Sequence, residues 1–94
     1  MSEKSEIVVQ LSGRLTLETA TSWFNKGLQI KEGQSDLVID FARVEAVDSS
    51  AVSLMLAWLR TAQIKKVKLS FTNVPDNLLS LANLYGVAES LALV

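Results

Sequence analysis

The apolar and polar positions divide this chain into alternating strand and helix segments. Ile7-Val8-Val9-Gln10-Leu11 is a β-branched run closed by Ser12-Gly13, and Arg14-Leu15 reads as a short second strand. After it the period changes. Ala20, Trp23, Phe24, Gly27 and Leu28 recur at helical spacing, which predicts a helix from Leu17 to about Ile30 with Thr16 as its cap. Glu18 in the first turn and Lys31 beyond the last suit the helix dipole. Trp23 and Phe24 lie on the apolar stripe and are expected to pack in the core.

Glu32-Gly33-Gln34-Ser35 reads as a turn, and Leu37-Val38-Ile39 as a central strand covered on both faces, because its apolar run does not alternate. A connection from Phe41 to Val47 leads to Asp48-Ser49-Ser50, which opens a helix running to about Gln63. Val67 to Thr72 alternates as a strand with one polar face. Asn73-Val74-Pro75-Asp76 then starts a third helix, since the first turn does not need the amide hydrogen that proline lacks. Leu78, Leu81, Ala82 and Tyr85 form its stripe, Gly86 is a left-handed cap, and Val87 to Val94 reads as a last short strand. Strands separated by helices of this length pair in parallel through right-handed crossovers. The expected architecture is α/β, a small mixed β-sheet with helices packed on one face, and residues 1–94 form a single domain.

The helix after Asp48 is the least ordinary segment. Its first eleven residues, Ser49 to Leu59, carry no charge. On a wheel of about 100° per residue, Val52, Met55, Leu56, Leu59 and Ala62 gather as the core stripe. Ser50, Ser53, Leu54, Ala57, Trp58 and Thr61 fall on the opposite arc, where a solvated helix carries Lys and Glu. Leu54 and Trp58, one turn apart, read as an anchor for another protein, with tryptophan enriched among interface hot spots. The competing reading lays Trp58 over the edge of its own domain. Asp48, Ser49 and Ser50 have a local task as caps of the free first-turn amides. The functional alternative is a phosphoacceptor serine, whose phosphate would add close to two negative charges beside Asp48.

Composition narrows the chemistry. Nine Lys and Arg against ten Asp and Glu give a net charge of -1, with only Lys65, Lys66 and Lys68 clustered, so nucleic acid is not an expected partner. That cluster reads as a solvated turn and strand edge, with an anionic membrane surface as the other reading. With no histidine and no cysteine, the chain has no His-based triad, no thiol nucleophile and no ordinary zinc site. No carboxylate spacing resembles a calcium loop, and the four glycines do not cluster as in phosphate-binding loops. No catalytic residue, cofactor or metal is therefore expected. The polar start, Met1 to Glu6, is unlike a signal peptide, and no apolar stretch is long enough to insert into a bilayer, which makes the expected location cytoplasmic.

The strand Leu37-Val38-Ile39-Asp40-Phe41, the connection ending in Val47-Asp48-Ser49-Ser50 and the apolar helix after it resemble the STAS domain, the fold of anti-sigma factor antagonists. The resemblance extends from Leu11-Ser12-Gly13-Arg14-Leu15 to Leu81-Ala82-Asn83-Leu84-Tyr85-Gly86-Val87. In the antagonists the hydroxyl residue after the aspartate is the phosphoacceptor, which implies that role for Ser49. They usually continue with glycine where this chain has Ala51. Compact length and the Leu-Ala-x-Leu-Tyr segment make the chain most similar to the small STAS subunits of Mla-type phospholipid transporters. This likeness implies a non-enzymatic subunit bound to the cytoplasmic ATPase subunit of an ABC transporter that moves phospholipids between the inner and outer membranes. It would sit at the inner membrane through the complex, with Ser49, Ser50, Ser53, Leu54, Ala57 and Trp58 as the contact surface. The alternative implied by the family is an anti-sigma factor antagonist, with a serine kinase or anti-sigma factor as partner and Ser49 as the switch.

Overall fold

The computed structural model describes residues 6–26 and 35–91. Its elements are β1 (Glu6–Leu15), α1 (Leu17–Lys26), β2 (Asp36–Val47), α2 (Ser49–Ile64), β3 (Lys68–Thr72), α3 (Asp76–Leu84) and a single 3-10 turn at Ala88–Ser90. The strands form one sheet in the order β1-β2-β3, and both pairings are parallel. The α/β architecture is as expected. The alternation of strand and helix leaves no tight hairpin among the described residues, so the sheet there is parallel only.

Leu37, Ile39 and Phe41 of β2 point to the helices together with Leu69 and Phe71 of β3, and all five are buried. Phe41 and Phe71 meet edge to face at 6.0 Å between ring centroids, a favoured aromatic geometry. Val38, between Leu37 and Ile39, is only half-buried, so β2 alternates and the sheet is covered fully on one face. The unbroken apolar run reflects a partly sheltered valine on a face that no helix among the described residues covers.

Several expected boundaries move, each for a pairing reason. Arg14-Leu15 is not a separate strand, because β1 continues to pair with β2 through two register shifts, between Gln10 and Ser12 and between Gly13 and Arg14. The same shifts keep Phe41 to Val47 in the sheet, where a connection was expected. Bulges of this kind bend a strand and re-aim its end. Here they bring the end of β2 beside the end of β1, so that the Asp48 amide donates to the Leu15 carbonyl at 3.3 Å. Ala88–Ser90 is a 3-10 turn where a final strand was expected, and the rest of that segment, 92–94, lies outside the described residues. So do Gly27, Leu28 and the expected end of the first helix.

Candidate functional site

Asp48 is where the strand ends and α2 begins. Its extended backbone, φ -140 and ψ -167, is that of an N-cap, and its Oδ1 accepts from the Ser50 amide at 2.8 Å. The capping role expected of this turn therefore falls to the aspartate. Its other oxygen, Oδ2, accepts from the Leu17 amide at 2.9 Å, the first amide of α1. The Leu17 amide above all holds the Asp48 carboxyl below the usual carboxylate range, opposed next by burial and aided more weakly by the Ser50 amide and hydroxyl. Thr16, expected to cap α1, does not: its hydroxyl is buried without a hydrogen-bond partner. Instead the Thr19 hydroxyl accepts from the Thr16 amide at 3.0 Å and lies 2.7 Å from the Arg14 carbonyl, to which it donates.

Past the cap, Ser49 and Ser53 are exposed and Ser50 is half-buried. With Val52, Leu56, Tyr85 and Val87 they line a shallow depression of about 340 Å³ between the first turns of α2 and the end of α3. Tyr85 is 54% exposed, and Leu84 beside it is also exposed. The site thus joins a hydroxyl-bearing helix start to an apolar rim supplied by another element.

Two residues of the expected surface are not on it. Leu54 is 0% exposed and Trp58 5%, so neither is available to a partner. Trp58 packs edge to face against Trp23 at 6.5 Å between centroids, and the Trp23 indole N–H is tied to the Arg14 carbonyl at 2.9 Å. The reading that placed Trp58 within its own domain is the one observed. The buried arc lies roughly 60° round the helix from the expected core stripe: it is Ala51, Leu54, Met55, Trp58 and Ala62 with Val52 at its edge, while Leu56 and Leu59 are only half-buried. Ala57, also half-buried, lies on the flank.

Tyr85, Val87 and Leu56 were missed as surface residues. The apolar spacing puts Tyr85 on the core stripe of α3, yet Leu78 and Ala82 are the buried residues there. A usable signal was Arg60, the only charge in α2, which marks the solvent side and shares its arc with Ser49, Ser53 and Leu56. Phe24, also expected in the core, is 49% exposed, because α1 turns Ala20 and Trp23 inward instead.

Among the described residues no cluster of acidic side chains could hold a metal ion, and no helix is long and apolar enough to cross a membrane. Asp40, the other perturbed carboxylate, is held low by Asn73 first and the Ala42 amide next, with Gln10 contributing least. It is a cross-strand fastener on the polar face of the sheet, not part of the depression.

Residues 2–94 match the family described as "Mlab, STAS domain". Among solved structures the fold is similar to a sulfate transporter family protein from Wolinella succinogenes, with TM-score 0.75 and 16% identity over 99% of this chain and 79% of that one. It is also similar to the STAS domain of a SulP transporter from Vibrio cholerae, with TM-score 0.70 and 11% identity over 99% and 75%. The anti-sigma factor antagonist SpoIIAA in its unphosphorylated form gives TM-score 0.62 and 18% identity over 100% and 84%. At these identities the likeness is one of fold. No match was found among curated proteins.

Proposed function

The chain belongs to the STAS family, and from that premise we propose that it is a non-enzymatic subunit that binds the cytoplasmic ATPase of a phospholipid ABC transporter and stabilises or regulates it. STAS domains work by contact with other proteins, transporters and sigma-factor regulators among them. The observation that carries the reading is the depression itself. Exposed Ser49 and Ser53 stand at the start of an uncharged helix stretch and share the depression with the exposed Tyr85. A hydroxyl-rich, charge-poor patch with an aromatic rim fits a lasting protein contact better than a solvated helix end. The proposed contact surface is Ser49, Ser50, Ser53, Leu56 and Tyr85, without the buried Leu54 and Trp58, and on this reading the chain sits at the inner membrane through its partner.

Ser49 also supports a second reading, an anti-sigma factor antagonist switched by phosphorylation, because its side chain is exposed directly after Asp48. Affinity capture of the tagged chain followed by mass spectrometry separates the two. Recovery of an ABC ATPase with the native chain, and its loss with Tyr85→Ala, is the expected result. Recovery of a serine kinase or anti-sigma factor in its place overturns the transporter reading.

A further inference from the structure

An ordinary N-cap is local, its side chain accepting from the amide of the second or third residue of its own helix. Asp48 does this with one oxygen and reaches the first amide of a different helix, at Leu17, with the other. Leu17 is the first residue of α1, and its amide lies outside the reach of an ordinary cap at Thr16, whose hydroxyl makes no hydrogen bond. The Asp48 amide is meanwhile bonded to the Leu15 carbonyl. The segments entering α1 and α2 are thus stitched together through a single residue, with both positive helix ends on one carboxylate.

We propose that Asp48 is a positioning residue that couples α1 to the turn bearing Ser49 and Ser50, so that the first turn of α1 sets how that turn is presented and Leu17 becomes the α1 end of the docking surface. Leu17 is 76% exposed, and its backbone lies one hydrogen bond from Asp48. The docking part rests on the function proposed above, whereas the coupling is a property of the isolated chain.

The chemistry offers two clean cuts. Proline is favoured at the first position of a helix and lacks an amide hydrogen, so Leu17→Pro removes only the α1 half of the stitch. Leu17→Ala removes the side chain and keeps the amide. Asparagine has one acceptor oxygen where aspartate has two, so Asp48→Asn can serve one helix and not both.

Amide hydrogen exchange of the full chain, followed by NMR, tests the coupling. Leu17→Pro is expected to raise exchange at the Ser50 amide roughly fivefold, the size of a lost cap bond, although the substitution lies in another helix. Leu17→Ala is expected to leave it unchanged. Asp48→Asn should expose the Leu17 or the Ser50 amide, and Asp48→Ala both. An unchanged Ser50 rate in Leu17→Pro, or both amides still protected in Asp48→Asn, overturns the coupling. Affinity for the purified ABC ATPase is then expected to fall further with Leu17→Pro than with Leu17→Ala. If the native chain binds no ATPase while Leu17→Pro still loosens Ser50, the docking reading falls and the coupling stands.

Discussion

Ser49 opens α2 with its side chain exposed and outside the cap bond. Of the three cap candidates Asp48, Ser49 and Ser50, Asp48 makes the cap bond, and Ser49 is left exposed at the rim of the depression. Ser49→Asp places a charge beside Asp48 at the proposed contact surface, so loss of partner capture without loss of thermal stability is the expected outcome. Gly86 is a residue-scale constraint of another kind. Its φ of 72 is left-handed, and a Cβ there would meet no atom within 4 Å, so Gly86→Ala strains the backbone without a clash. The expected cost is about 1–2 kcal/mol, measured by chemical denaturation. The left-handed cap was legible in the sequence, because only glycine takes that conformation freely.

α2 shows where a pattern along one element stops being informative. A helix with one charge in sixteen residues has apolar side chains on most of its circumference, and a wheel then has many nearly equal ways to choose a core face. What selects the face is the neighbour: Trp23 on α1 meets Trp58, and the sheet's Phe71 and Phe41 fill the space below. Since Trp58 and Leu54 are core residues, their truncation acts on folding. Trp58→Ala is expected to cost about 3–5 kcal/mol and Leu54→Ala about 2–5 kcal/mol, seen as lower denaturation midpoints with or without partner. If Trp58→Ala keeps its native midpoint and loses only partner capture, its burial here is wrong. Tyr85→Ala, at the exposed end of α3, is expected to shift the midpoint little while abolishing capture.

At the scale of the whole molecule, two carboxylates fasten elements distant in sequence: Asp48 joins α1 to α2, and Asp40 joins β1 and the residue after β3 to the central strand. Both have folded pKa values below the ordinary aspartate value, about 3.9 when unfolded. Their contribution is therefore complete above that value and is lost as pH falls through the lower folded values. Thermal midpoints should hold steady from neutral pH to about 5 and drop below about 4, with a smaller acid loss in Asp48→Asn. The sequence by itself determined the alternation of strands and helices, the parallel pairing that follows from it, the left-handed glycine and the exposed serine after the aspartate. All of these are local in origin, set by period, backbone conformation or nearest neighbours. Only the tertiary structure decided which side of α2 is buried, that a bent β2 carries Asp48 to the start of α1, and that Tyr85 lines the depression beside Ser49. Each of these depends on contacts between segments tens of residues apart, and a one-dimensional pattern carries no term for them.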